Sequence, residues 1–126
     1  MILAHGGGWE VRYQVSSLAA SAAAAGEEVE VALFFGALDS WVAGHWDALD
    51  PAPPIVPARL EALGLPPLSS MLSAGRAEGK IRVYACSASC RILGLDMTRV
   101  QEAVDAILGW QTLSRMTATT GRVVSF

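Results

Sequence analysis

The chain has 126 residues, 52% of them hydrophobic and 17% charged, with a formal net charge of −3. That length suits one domain with a core of its own. The acidic balance and the lack of any Lys/Arg run exclude a nucleic-acid backbone binder, and no stretch approaches the run of about 18 apolar residues that marks a membrane helix. So apolar and charge-poor a small domain is expected to hide part of its surface in a homo-oligomer. The opening MILAHGGGWE has no basic leader and only a short apolar run, so it does not read as a signal peptide. A cytoplasmic protein is expected, with its thiols reduced. Two cysteines are too few for a disulfide scaffold.

In chain order, Ile2 to His5 reads as a first strand, and Gly6, Gly7 and Gly8 as a turn. From Glu10 to Ala25, Val11, Val15, Leu18, Ala19 and Ala22 fall at helical spacing, and Gly26 ends the helix. Val29 to Phe35 begins with alternation and ends as a continuous apolar run, which suits a strand covered on both faces. Residues 36 to 57 carry four of the six prolines and no periodicity, so they are expected to form a long loop bearing Trp41, His45 and Trp46. Ala58 to Leu63 and Leu68 to Gly75 read as short helices, and Ile81 to Cys86 as a strand. Met97 to Trp110 is expected to be one helix with Val100, Val104, Ile107 and Leu108 on one stripe. Thr98 with Gln101 makes a candidate capping box there, with Asp96 as a competing N-cap. Gln111 to Thr119 continues helically, and Arg122 to Phe126 is the last strand.

Strands alternate with helices. The expected fold is therefore α/β, a small doubly wound and mainly parallel sheet of four to five strands with helices on both faces. Ligands collect outside the carboxyl ends of such strands. That rule singles out His5 to Gly8, Phe35 to Leu38 and Cys86 to Cys90.

Cys86 ends a strand, and a helix starts after it, with Ser87 or Ser89 as candidate cap. A thiol there faces unpaired N–H groups and the positive end of the helix dipole, and both favour the nucleophilic thiolate. The alternative is a small residue packed at a strand end. Cys90, four residues on, is expected to be packed and inert, with a resolving thiol as its alternative. Gly6, Gly7 and Gly8 offer backbone N–H groups for an anion, or else form a tight turn requiring positive φ. The stretch matches neither GxGxxG nor a P-loop, and no GxSxG elbow accompanies the HGGG sequence. His5 and His45 with the two cysteines fit no zinc spacing, so neither metal nor cofactor is expected. His5 is a candidate neighbour for the Cys86 thiol, or simply a strand-end histidine bonded to backbone. Trp41 and Trp46 would close over a pocket or face a partner subunit.

The stretch VYACSASCRILGLD resembles the DsrE/DsrF-like family, particularly its DsrE-type sulfur-carrier branch. There a strand ends in Cys, followed by small residues and Ser, an apolar stretch and Gly-Leu or Gly-Ile. AAAAGEEVEVALFF and the closing VDAILGWQTLSRMT…VVSF are similar to the family's passages in the same order. The likeness covers most of the chain, so residues 1–126 read as a single domain of that kind. It implies trimers or hexamers, and a Cys86 that carries persulfide or thiosulfonate sulfur between a donor and an acceptor, whether proteins or small sulfur species. Cys90 stands where such relatives often have Met or another apolar residue. Two other functions fit the same residues. One is a non-catalytic oligomeric module binding a small molecule at the Trp-bearing loop. The other is a thiol redox protein using Cys86 with Cys90.

Overall fold

The structure, a computed structural model, describes residues 1 to 126. The chain runs β1 (Ile2–Ala4), α1 (Trp9–Ala24), β2 (Val29–Leu33), α2 (Phe35–Val42), α3 (Ile55–Ala62), α4 (Leu68–Ala77) and β3 (Ile81–Cys86). It continues as α5 (Ser87–Leu93), α6 (Met97–Ala103), β4 (Ala106–Leu108), α7 (Trp110–Thr119) and β5 (Val124–Ser125). The five strands form one sheet in the order β4-β3-β2-β1-β5, and every pair is parallel. This is the doubly wound α/β fold expected from the alternation of strands and helices. No helix is long and apolar enough to cross a membrane.

Alternate residues of each strand divide the sheet into two faces. Ile2, Ala4, Val31, Leu33, Val83 and Ala85 point into the larger core, where α1, α2, α4 and α6 pack. Ala32, Phe34 and Cys86 point the other way, where Leu113 of α7 covers them. α1 buries Arg12, Val15, Ser16 and Ala19, one stripe at helical spacing, and its alanines let it lie close to the sheet. Arg12 is a buried cation with no carboxylate in contact. Its guanidinium donates to the carbonyls of His45, Ala48 and Gly8, pinning the chain after α2. Burial lowers its pKa, with Asp47 and Glu10 opposing.

Several expected elements are corrected, the strand from Val29 among them: it ends at Leu33, and Phe35 opens α2. The stretch 36 to 57 is not one loop: α2 occupies its first part, α3 begins at Ile55, and only residues 43 to 54 are irregular apart from turns. Ala37 and Leu38 of α2 are fully buried, with Trp41 and Val42 packed behind them, so tertiary burial makes this helix without a side-chain cap. Trp41 therefore lies on a helix and only Trp46 in the irregular segment. The expected helix from Met97 to Trp110 stops at Ala103. Val104 is extended (φ −126°, ψ 163°), and β4 adds an edge strand to β3. Asp105 fixes that change by accepting the Val83 N–H at 2.6 Å and ion-pairing with Arg76 at 2.9 Å. Of the two candidate caps of α6, Asp96 is the one used: its Oδ1 accepts the Thr98 N–H at 2.9 Å. The last strand is shorter than expected, Val124–Ser125.

Candidate functional site

The path of the chain singles out one switch point of the sheet. After β3, the chain passes to the α1 face, where Cys90 of α5 and Val100 of α6 enter the larger core. After β4, it passes to the opposite face, where α7 packs through Leu113. β3 and β4 are neighbours, so their carboxyl ends send the chain in opposite directions. In an open parallel sheet, such a switch point leaves a crevice that ligands occupy. Here Cys86 and Ser87 stand on one side of the switch point, and Gly109 and Trp110 on the other. The two sides meet closely: a Cβ on Gly109 would stand 3.8 Å from Ser87 Oγ.

Cys86 is the N-cap residue of α5, and its side chain points to the α7 face. The expected serine caps are absent. Neither Ser87 nor Ser89 caps α5, because the strand runs straight into the helix at Cys86 and leaves no position before it for a serine. Ser89 is instead fully buried, and its hydroxyl has no hydrogen-bond partner. The thiol of Cys86 is packed against Ala32, Phe34 and Leu113, with Leu3, Ala88 and Leu108 at the margins. Its residue is only 1% exposed. Above this cluster lies a row of rings. His5 stacks on Phe34 at 4.6 Å and 19°, and Trp110 leans on Phe34 at 5.0 Å and 31°. Phe34 is fully buried, whereas Trp110 is 54% exposed and forms the outer member of the row.

Cys90 belongs to the other core and is equally buried. Burial pushes its thiol up, and the neighbouring Cys86 adds to the effect, so Cys90 is held in the unreactive thiol form. Both cysteines are free.

Gly6, Gly7 and Gly8 have none of the left-handed backbone that a tight glycine turn would explain. Gly7 is needed for a close approach. A Cβ there would stand 2.6 Å from the Gly36 carbonyl oxygen, so the turns after β1 and β2 touch backbone to backbone. Between the buried Phe34 and Gly36, Phe35 is forced to φ +38°, a left-handed conformation that costs a non-glycine residue about 1–2 kcal/mol. The carboxyl end of β2 is thus a strained, tightly built corner beside the aromatic row.

The structure brings His5 and Cys86 to one site through Phe34, with Ser87 at its rim. Trp41 and Trp46 lie elsewhere, over the α1 face, where their rings meet edge to face at 5.2 Å and 87°. His45 offers its backbone carbonyl to Arg12. No group of three or more His, Cys, Asp or Glu side chains gathers where it would hold a metal ion. Sequence reading missed Phe34, Leu113 and Trp110 as parts of the site. Trp110 had a signal: in AILGW, a short apolar run followed by glycine places it just past a strand, once that run is read as extended. Compared with known proteins, the chain matches no protein-family model, and no curated protein aligns significantly with it.

Proposed function

We propose that the β3–β4 switch point is a sulfur-transfer site and that Cys86 carries the sulfur. The observation behind this reading is the position of Cys86: it is the one thiol at the switch point of the sheet, between two helices that start without side-chain caps. Its thiolate attacks the sulfane sulfur of a donor persulfide, forming a Cys86 persulfide and releasing the donor as a thiolate. An acceptor thiolate then takes the outer sulfur and regenerates the Cys86 thiolate. With thiosulfate as donor, the leaving group is sulfite. Each step exchanges one S–S bond for another and needs no external oxidant. Residue by residue, Cys86 is the nucleophile, while Phe34, Leu108 and Leu113 keep water from the persulfide. Trp110, the exposed end of the aromatic row, opens to admit the donor. The resemblance to DsrE-type carriers points to the same residue.

A second reading has its own observation. The 1% exposure of Cys86 suits a non-catalytic binding module in which the thiol is core. A redox pair is disfavoured because Cys86 and Cys90 face different cores. Intact-mass spectrometry after incubation with thiosulfate or polysulfide separates these readings. The carrier predicts a sulfur adduct that survives in Cys90→Ser and disappears in Cys86→Ser. An absence of adduct in every form refutes the carrier and leaves the binding module.

A further inference from the structure

On the α1 face, away from Cys86, α2, α4 and α6 border a shallow surface pocket of about 350 Å³. Trp41, Trp46, Asp47, Ser69, Arg76 and Glu102 line it. Most of its hydrogen-bonding groups are already engaged. The indole N–H of Trp41 donates to the Ala103 carbonyl and that of Trp46 to Ser16 Oγ, both at 2.9 Å. Arg76 directs Nε and Nη2 to Asp105 and Nη1 to the Ala103 carbonyl. The N–H and hydroxyl of Ser69 both donate to Asp47.

What remains is of one chemical kind. The half-buried Trp41 lines the pocket, with the Trp46 ring set against it at 87°. Asp47 and Glu102 are exposed carboxylates with lone pairs to spare, and Glu102 makes no hydrogen bond of its own. Arg76 is matched by Asp105. The nearby buried Arg12 has its donors fixed on backbone carbonyls and offsets only one of the two remaining carboxylates. The pocket is therefore net negative, its two indole N–H groups are engaged, and three of the five N–H groups of Arg76 are bonded within the chain. A bare metal ion would need more ligands than gather there. An indole and two exposed carboxylates lining one pocket suit a cation with an apolar skin.

We propose that this pocket binds a small organic cation of the alkylammonium type. The proposal is independent of the thiol chemistry at Cys86, and either can fail alone. The probe is choline, titrated into the full chain at constant ionic strength while the indole N–H resonances are followed by NMR. The control is 3,3-dimethyl-1-butanol, the neutral carbon isostere of choline. The expected result is a saturable shift of the Trp41 indole with choline and binding of the isostere weaker by on the order of tenfold. Glu102→Gln, at an exposed position, should weaken choline several-fold and leave the isostere unchanged. No saturable shift up to tens of millimolar choline, equal affinity for the isostere, or unchanged affinity in Glu102→Gln would each overturn the proposal.

Discussion

Replacing Asp105 with Asn should loosen β4 from the edge of the sheet, and the loss should depend on pH in a specific way. The Asp105 carboxylate accepts the Val83 N–H at 2.6 Å and Arg76 Nε and Nη2 at 3.1 and 2.9 Å. One side chain thus ties α4, β3 and the approach to β4. Burial works to raise its pKa. The hydrogen bonds from Arg76 and Val83, with the charges of Arg76 and Arg82, outweigh burial and hold it below the usual carboxylate value. A depressed carboxyl stabilises the fold fully above its unfolded pKa of about 4 and loses that contribution as pH falls through the folded value. Hydrogen bonds to a charged group are worth about 1.5–3 kcal/mol each when shielded. The Arg76 and Asp105 side chains are 24% and 35% exposed, so screening brings the ion pair toward 1 kcal/mol or less. Asn keeps one acceptor for Val83. The net cost of Asp105→Asn at neutral pH is then about 1–2 kcal/mol. Urea unfolding of both proteins from about pH 7 to about pH 3 reads this directly, because the other carboxylates cancel in the difference. The difference should shrink below about pH 4. No difference at neutral pH, or one that persists unchanged to the lowest pH, would refute the assignment.

Gly75→Ala tests the packing of α4 on β3. Its Cβ would lie 2.6 Å from Ile81 Cγ1 and closer still to Cδ1, so overpacking should cost about 1–3 kcal/mol. Helix propensity alone would give a gain of about 1 kcal/mol. Thermal denaturation should show a loss, partly recovered by Ile81→Val, and a neutral or stabilised Gly75→Ala would sink the idea. At the β2 corner, Phe35→Gly should be close to neutral or stabilise by up to about 1 kcal/mol, because relief of the left-handed backbone offsets the lost side chain. Phe34→Ala next door should cost about 3–5 kcal/mol, since that ring is fully buried. A Phe35→Gly protein as damaged as Phe34→Ala would show that φ +38° carries no strain.

How much of this was legible in the sequence differs by element. α1, β2 and β3 were readable because the packing that forms them is repeated along one continuous stripe or run. α2 was not. It opens at Phe34 with no capping side chain, carries Gly36 in its first turn and precedes a cluster of prolines. Its helix is made by the burial of Ala37 and Leu38 against strands from elsewhere in the chain. β4 was hidden for a related reason. Three apolar residues following a helix fit either period, and the deciding contacts come from Arg76 and Val83, far back in sequence. At the site, the position of Cys86 past β3 was legible, but its burial was not, since Phe34 and Leu113 arrive from β2 and α7. The glycines after β1 were visible, whereas their reason, the approach of Gly36, is a contact between two turns.

Sulfur transfer at Cys86 requires that its thiol be reached from the native fold, past the aromatic row. Site-resolved alkylation with iodoacetamide under native conditions, read by peptide mass spectrometry, addresses it most directly. Cys86 should be modified before Cys90, faster than the chain unfolds globally, and several-fold faster still in Trp110→Ala. Modification of both cysteines at one common rate, equal to global unfolding and unchanged in Trp110→Ala, would contradict it and make Cys86 a residue of the core.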